Sequence, residues 1–412
     1  MTIGLILNES KDAGLAVVRQ LVAAIRARGG GAVLTVAREF APRFKCPEDL
    51  LGIFEGGGGA GDGDADCGAG AGCGRREAAE IVAGGAGRRS EAAETGAVAG
   101  RSGAAGELAD QPAFAVKAPC DADAFAGQPA FAIRTRCDAL ISVGGDGTLI
   151  KAARGAVSLG APILGVNLGA LGYLTEVEAS EIDTIVGRIF SGDCCVEERM
   201  LLSASVVRGG AGGAGRMRGA GPGGGASACA SVSRDAWPAG GAAACASAFA
   251  GGAQYMALNE IAVSRGGASR VVKLKLYVDG TLLDVYPGDG LLVATPTGST
   301  AYALSAGGPV IDPALSLICV VPICAHAIFS KPVLVAPGKS VWIELAPAPG
   351  QPAPAALSVD GRDAPAMEAG DALAVSRSPH VLKMLRFSSD NFYLTLKNKL
   401  YRRGEELYSE KG

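Results

Sequence analysis

The sequence predicts an α/β domain with a parallel sheet, followed by a second domain that is largely β. Two apolar runs near the start, Ile3–Leu7 and Ala32–Val36, flank a helical pattern, and a strand–helix–strand order implies parallel strands. Farther along, short strand-like runs are separated by turn dipeptides such as Asp279-Gly280, which is typical of a β-rich domain. We expect three regions: an α/β domain over 1–176, a β-rich domain over 177–377, and a C-terminal segment over 378–412 that packs back on the first domain.

The elements of the first domain follow from the spacing of apolar residues. Between Ala13 and Arg28 they recur at the spacing of a helix face, and the glycines from Gly29 onward end the helix. A strand, a helix and a strand then follow, at Ala139–Val143, Thr148–Leu159 and Pro162–Val166.

Strand-like runs dominate the second domain and are bounded by turn residues. They are predicted at Leu201–Val207, Ala257–Val263, Val271–Val278, Thr281–Val285, Leu291–Thr295, Val333–Val335, Val341–Leu345 and Ala355–Val359.

Two stretches rich in glycine and alanine interrupt these patterns, at about 56–130 and 209–252. They account for much of the unusual content of 62 glycines in 412 residues, which points to low-complexity insertions. We expect both insertions to be mostly disordered, with a weak helical pattern around Arg75–Val82 in the first.

Composition excludes several classes of function. Lys and Arg number 38 against 41 Asp and Glu, so neither a general nucleic-acid surface nor a basic membrane face is indicated. The 11 cysteines form no CxxC pair and only two histidines are present, which argues against disulfides and against a Cys/His metal cluster. The first residues lack the basic segment of a signal peptide, and polar residues and prolines interrupt the apolar stretch Leu315–Val335. We expect a soluble, cytoplasmic protein with reduced thiols.

The turn Gly144-Gly145-Asp146-Gly147-Thr148 follows a predicted strand and precedes a predicted helix. Glycines let backbone N–H groups approach an anion closely, and the helix would add the positive end of its dipole. A carboxylate repels phosphate, so Asp146 is better explained as a proton acceptor or as the partner of a phosphate-bound cation. The turn predicts a kinase.

Three further segments carry polar groups suited to a nucleotide. Gly165–Glu176 follows the next strand, and its Asn167 is either a hydrogen-bonding partner of ribose or phosphate or a turn-forming residue. Asn259-Glu260 places an amide beside a carboxylate, so that one faces a ligand while the other supports it. The run Thr295–Pro309, preceded by Gly288-Asp289-Gly290, is rich in small and hydroxyl residues that let backbone approach a flat ligand.

These four segments, in this order, resemble the signature of the NAD kinase family, which phosphorylates NAD to NADP. The resemblance implies that Asp146 takes the proton from the 2′-hydroxyl of the adenosine ribose, with Gly147 beside it, in a phosphate loop of Gly144, Gly145, Gly147 and Thr148. It implies that Asn259 and Glu260 hold the ribose region of NAD and that Asp289 contacts the nicotinamide end, with further NAD-binding positions at Arg270, Thr297, Gly298, Ser299, Thr300, Ala301, Tyr302 and Ser305. Asn167, His326 and Arg362 are additional candidates.

The resemblance also implies a Rossmann-like domain joined to a β-sandwich-like domain, in a homodimer or homotetramer. ATP or polyphosphate would supply the phosphoryl group, and Mg²⁺ or another divalent cation would be held mainly by phosphate oxygens and water rather than by protein ligands. Three residues depart from the family pattern: Pro287, where a basic residue is common, Ala325, where proline is usual, and Arg362, where glutamine is common. Pro287 and Arg362 leave cofactor preference open.

Two alternatives stay open at this stage. Lipid kinases of the diacylglycerol type share the Gly-Gly-Asp-Gly-Thr turn, but they need an apolar groove and membrane contact. A nucleotide-binding sensor that has lost activity is the second alternative, and the intact Asp146 argues against it.

Overall fold

The computed structural model describes residues 1–7, 12, 15–36, 80–83, 137–169, 172–209, 254–266, 271–347, 354–387 and 392–399. The chain divides into two compact units. Unit 1 comprises Met1–Cys120, Pro129–Val196 and Met384–Asn391, and unit 2 comprises Asp121–Gln128, Glu197–Lys383 and Phe392–Gly412. Most of the two predicted insertions lies outside the described residues.

Unit 1 alternates strands and helices. Its elements are β1 (Thr2–Leu7), α1 (Ala16–Ala27), β2 (Gly31–Val36), β3 (Glu80–Ala83), β4 (Ala139–Gly144), α2 (Asp146–Leu159), β5 (Ile163–Asn167), β6 (Val177–Glu178) and α3 (Ile182–Ser191). The described strands form a sheet in the order β5-β4-β1-β2-β3, in which β3 alone is antiparallel to its neighbour.

Apolar strand residues hold unit 1 together. Leu5 of β1 pairs in register with Leu34 of β2 on one side and Ile141 of β4 on the other, and all three are buried. Helix α1 contributes Val18, Leu21, Val22 and Ile25 to the same core. This central parallel arrangement brings the carboxyl ends of β4 and β5 side by side, where ligands of α/β sheets bind.

Unit 2 is built mainly from strands. They are β7 (Cys195–Val207, from residue 197 on), β8 (Gln254–Ala257), β9 (Glu260–Ser264), β10 (Val272–Val278), β11 (Thr281–Gly288), β12 (Gly290–Ala294), β13 (Ile318–Ile323), β14 (Val333–Val335), β15 (Val341–Leu345), β16 (Ala355–Val359), β17 (Arg362–Met367) and β18 (Ala372–Arg386, up to residue 383). Two short helices, α4 (Tyr302–Ser305) and α5 (392–399), complete its described part.

The strands of unit 2 form antiparallel sheets around one apolar core. One sheet has the order β14-β13-β12-β9-β16-β17, and β11-β10-β15-β18 are neighbours in the other. Alternate residues of both sheets meet in the core, for example Leu274 and Ile343 from one and Ile261 and Leu291 from the other. The predicted fold class, an α/β unit with parallel strands and a largely β, sandwich-like unit, is confirmed.

Three details differ from the sequence prediction. Helix α2 begins at Asp146, two residues before the predicted Thr148, because Gly145 is extended and serves as its N-cap. The run Ala257–Val263 is two strands, β8 and β9, with a break at residues 258–259. The helical pattern around Arg75–Val82 is wrong for 80–82, which lie in β3, because pairing with β2 overrides the local pattern. Residues 75–79 lie outside the described residues.

In the part of the chain that the structure describes, no helix is both long enough and apolar enough to cross a membrane.

Candidate active site

The turn that carries Asp146 is built by the junction of β4 and α2. Strand β4 ends at Gly144, and Gly145, with φ −118° and ψ −172°, leads into the first turn of the helix. A Cβ on Gly144 would overlap the Thr148 hydroxyl, so this close approach requires glycine. Asp146 therefore stands in the first helical turn, where the helix dipole favours a negative charge.

Hydrogen bonds from one neighbouring loop fix the Asp146 carboxylate. Its Oδ2 accepts the backbone N–H of Tyr173 at 2.7 Å. Its Oδ1 accepts the backbone N–H groups of Leu174 and Thr175, both at 3.1 Å, and the Thr175 hydroxyl at 3.2 Å. Four donors on one half-buried carboxylate hold it in a single orientation.

Gly172 allows this loop to approach Asp146. A Cβ at position 172 would overlap both the Asp146 carboxylate and the Thr175 hydroxyl. Nearby, Asn167 ends β5, and its side-chain amide donates to the carbonyl of Gly169 at 2.7 Å. The Asn167 side chain is 6% exposed and its Oδ1 has no hydrogen-bond partner in the described structure, so both of its predicted roles, turn former and ligand partner, remain compatible with the geometry.

In unit 2, the break between β8 and β9 is held by a carboxylate from a distant hairpin. Asp360 accepts the backbone N–H groups of Leu258 at 2.9 Å, Asn259 at 2.7 Å and Glu260 at 3.2 Å. Asp360 and Gly361 both have positive φ, 48° and 72°, and form the tight turn that joins β16 to β17. This turn delivers the carboxylate to the three N–H groups and fixes the Asn-Glu pair.

Glu260 is a buried acid with an unused oxygen. It is 8% exposed, and its Oε2 has no hydrogen-bond partner among the described residues. Burial, followed by the negative charge of Asp360, raises the pKa of Glu260 to about 7, and a hydrogen bond from the Tyr302 backbone opposes this shift. A buried carboxylate oxygen of this kind needs a hydrogen-bond donor, which a ligand hydroxyl would provide.

The hydroxyl-rich segment folds back against the Asn-Glu pair. Thr295 donates its backbone N–H to the Asn259 carbonyl at 2.9 Å and its hydroxyl to the Leu258 carbonyl at 2.5 Å. Gly298 packs so closely against Asn259 that a Cβ would overlap the Asn259 carbonyl oxygen. The predicted NAD-binding positions of this segment therefore contact the predicted ribose-binding pair directly.

Members of this segment differ in what their side chains can reach. Ser299 is fully buried, and its hydroxyl exchanges hydrogen bonds with the Ile311 backbone, so it serves the loop itself. Thr297 is buried and accepts a hydrogen bond from Arg199 at 3.5 Å. Thr300 and Ala301 are half-buried, whereas Tyr302 and Ser305 are exposed.

Several titratable groups lie near the Tyr302 hydroxyl. The pKa of Tyr302 is raised, first by burial and then by the proximity of Cys324, Asp289 and Glu260. Asp289 itself forms an ion pair with Arg265 at 2.9 Å. The structure thus brings Asn259, Glu260, Asp289 and the 297–302 segment together within unit 2.

The remaining candidate residues are His326, Arg362 and Arg270. His326 is exposed, and its backbone N–H donates to the carbonyl of Pro287 at 2.7 Å, so this candidate lies beside one of the positions that depart from the family pattern. Arg362 is half-buried and follows the Asp360-Gly361 turn. Arg270 lies outside the described residues.

Sequence reasoning missed the residues that hold the site. In the sequence, Asp360 carries no signal beyond a turn dipeptide with Gly361, although it fixes residues 258–260, and Arg199 carries no signal at all. Glu176 was noted only as the end of a motif, yet with Arg386 it forms a buried pair beside the loop that binds Asp146. Only the three-dimensional fold brings these partners together.

Comparisons with known proteins assign the chain to a family. Residues 129–194 match the ATP-NAD kinase N-terminal domain and residues 258–387 match the ATP-NAD kinase C-terminal domain. The NAD kinase of Ruminiclostridium cellulolyticum is 35% identical over 267 residues, which cover 65% of this chain and 79% of the relative. The chain belongs to the NAD kinase family.

Other members of the NAD kinase family show the same relationship. The NAD kinase of Moorella thermoacetica is 36% identical over 261 residues, covering 63% of this chain and 70% of the relative. The crystal structure of yeast NADH kinase complexed with NADH has a TM-score of 0.50 and 23% identity, and it covers 65% of this chain and 66% of that one. This structural likeness supports the two-part fold of the family.

Proposed function

We propose that this NAD kinase family member transfers the γ-phosphoryl group of ATP to the 2′-hydroxyl of the adenosine ribose of NAD, giving NADP. Family membership supports the reaction, since its curated relatives are NAD kinases and its two domains match ATP-NAD kinase domains. The observation in the fold that carries the proposal is the Asp146 carboxylate, fixed by four donors at the carboxyl end of β4.

Asp146 acts as the general base in this proposal. Its Oδ1 already accepts three hydrogen bonds, whereas its Oδ2 accepts only the Tyr173 N–H in the described structure. A carboxylate oxygen has two lone pairs, so Oδ2 retains one for the proton of the ribose hydroxyl. An alcohol is a weak nucleophile, and removal of its proton by a positioned carboxylate typically contributes about 10²–10⁴-fold in rate.

The Asn259-Glu260 pair would bind the ribose region of NAD. The buried and unpartnered Oε2 of Glu260 is suited to accept a hydrogen bond from a sugar hydroxyl. Asp289 would contact the nicotinamide end, as the resemblance implies, and the 297–302 segment would follow the dinucleotide with its backbone, as its small and hydroxyl residues allow. These roles, like those of Arg270, Ser305, Asn167, His326 and Arg362, stay predictions.

We expect a divalent cation, Mg²⁺, to bind together with ATP, the phosphoryl donor. Within the described ranges, no group of three or more His, Cys, Asp or Glu side chains is arranged to hold a metal ion. Phosphate oxygens and water would therefore supply most of its ligands, and the ion would offset phosphate charge. Glycine N–H groups of the 144–148 turn would also offset phosphate charge.

The family match does not support either alternative, the lipid kinase or the inactive sensor. Residence in the cytoplasm and assembly as a homodimer or homotetramer stay predictions.

A panel of donors and acceptors tests the proposed function. Purified protein is supplied with ATP or polyphosphate, with Mg²⁺, and with NAD, NADH or diacylglycerol, and NADP or NADPH is quantified with an NADP-specific dehydrogenase. The proposal expects NADP from ATP and NAD. Phosphorylation of diacylglycerol without NADP would contradict it, and binding of both nucleotides without any phosphorylated product would favour the sensor.

A further inference from the structure

Leu174 joins the Asp146 carboxylate to a second buried polar group. The backbone N–H of Leu174 donates to Asp146 Oδ1 at 3.1 Å, and the carbonyl of the same residue accepts Nη1 of Arg386 at 3.1 Å. One residue of the loop is therefore held from both sides. Arg386 lies in the 384–391 segment, which belongs to unit 1 although it is 212 residues from Leu174 in sequence.

Glu176 completes this arrangement. Its Oε2 lies 3.5 Å from Nη1 of Arg386, and its Oε1 accepts the backbone N–H of Phe387 at 3.4 Å. The side chains of Arg386 and Glu176 are only 9% and 7% exposed. A buried ion pair resists the loss of either member, because the charge that remains is costly to bury.

The loop is also tied to the sheet. The backbone N–H of Glu176 donates to the carbonyl of Gly165 in β5 at 3.2 Å, and Gly165 leaves room for Thr175, whose Cγ2 a Cβ would approach at 2.8 Å. Residues 173–175 are thus anchored to two neighbouring strands, β5 and the end of β18 at residues 384–386, which pair in parallel. The same stretch of chain presents its N–H groups to Asp146.

We propose that Arg386 and Glu176 are positioning residues for the Asp146 carboxylate, and that they act through the peptide groups of residues 173–175. This rests on the proposed function, in which Asp146 accepts the proton of the ribose hydroxyl. Neither residue needs to touch the substrate. Their contribution is to turnover, since they orient the base, and not to the affinity for NAD.

The kinetic test uses Arg386→Met, Arg386→Lys and the control Arg188→Met. Arg188 also contacts the 384–391 segment, because it donates to the Phe387 carbonyl at 3.3 Å and lies over the Phe387 ring, but its side chain is partly exposed. Misplacement of a reacting group by about 1 Å costs about 10²-fold, so Arg386→Met should lower kcat by roughly that factor and leave KM for NAD within about threefold. Arg386→Lys keeps the positive charge, but its shorter side chain lacks the Nη1 donor to the Leu174 carbonyl, so it should recover only part of the loss. Arg188→Met should change kcat by less than about threefold.

A double variant separates positioning from general damage to the fold. In the Asp146→Asn background the oriented base is already absent, so Arg386→Met should add less than about a threefold further loss. If Arg386→Met lowered kcat by the same factor in the wild-type and the Asp146→Asn backgrounds, the proposal would be overturned. So would full kcat in Arg386→Met, or an equal effect in Arg188→Met.

Hydrogen exchange tests the same linkage without any activity. In wild-type protein the amides of residues 173–175 should be protected, and Asp146→Asn and Arg386→Lys should each speed their exchange while the amides of β1 stay unchanged. This measurement uses the conservative lysine variant, so it does not depend on Arg386→Met folding. If the protein made no NADP but showed this pattern, the proposed function would fail and the linkage would stand. Unchanged exchange at 173–175 in Arg386→Lys would overturn the linkage itself.

Discussion

Asp360 binds the backbone of Glu260 and at the same time repels the charged form of its side chain. The Asp360 carboxylate accepts the backbone N–H of Glu260 at 3.2 Å, and its negative charge adds to burial in raising the pKa of the Glu260 carboxyl to about 7. The same contact that orders the Asn-Glu pair therefore disfavours the charged form of its acid. Binding of a ligand hydroxyl by Glu260 would relieve part of this cost.

This relationship predicts a dependence of stability on pH. The pKa of Glu260 rises from 4.5 to about 7 on folding, so between these values the folded state binds more protons than the unfolded state. The contribution of Glu260 to stability is therefore complete below pH 4.5 and is lost as pH rises through 7. Glu260→Gln should be more stable than wild type by up to about 3 kcal/mol at pH 8 and nearly equal to it at pH 4.5.

Melting temperatures of wild type and Glu260→Gln at the two pH values check this prediction. Asp363→Asn, which neutralises an exposed acid of β17, is the matched control and should show little difference between the two. A Glu260→Gln variant with the same change in Tm at both pH values would show that Glu260 is not the group responsible.

Gly172→Ala should impair turnover. The new Cβ would overlap the Asp146 carboxylate and the Thr175 hydroxyl, so the carboxylate must move from its four donors. We expect kcat to fall by about 10²-fold, with a smaller change in KM for NAD. Gly338→Ala is the control, because a Cβ there meets nothing within 4 Å. Wild-type kcat in Gly172→Ala would mean that the position of the carboxylate does not matter.

Gly298→Ala should act mainly on NAD binding. Its Cβ would overlap the carbonyl oxygen of Asn259, which is backbone and cannot rotate away. The 297–300 turn and the Asn-Glu pair must then separate, at a typical overpacking cost that corresponds to about a tenfold rise in KM for NAD. Steady-state kinetics with NAD as the varied substrate measure this, and an unchanged KM would place the contact outside the binding site.

Removal of residues 210–252 should leave activity largely intact. Strands β7 and β8 pair in antiparallel register with Ser205 opposite Gln254, so a short Asn-Gly turn can join the chain on either side of the deletion. Arg208 and Gly209 stay, because both bond to Asp371. We expect kcat within about twofold of wild type. A loss of tenfold or more with unchanged Tm would assign this region a part in catalysis.

The sequence predicted the elements whose signals are local. The strand–turn–helix around Asp146 and the short strands of unit 2 follow from apolar spacing and glycine-rich turns, and the fold class follows from their order. The break at 258–259 could not be predicted, because it depends on Asp360, 100 residues or more away in sequence. The role of Arg386 could not be predicted either, because its partner Leu174 is 212 residues away in sequence. Side chains such as Asp360 and Arg386 reach the site only through the fold, so the residues next to them in sequence do not reveal their role.

The most direct measurement of the central claim is NADP formation by Asp146→Asn, together with the Kd for NAD. Asparagine keeps the shape and one acceptor oxygen of Asp146 but cannot take a proton from the ribose hydroxyl. We expect kcat to fall by about 10²–10⁴-fold while Kd stays within about threefold of wild type. Turnover near the wild-type rate would show that Asp146 is not the base.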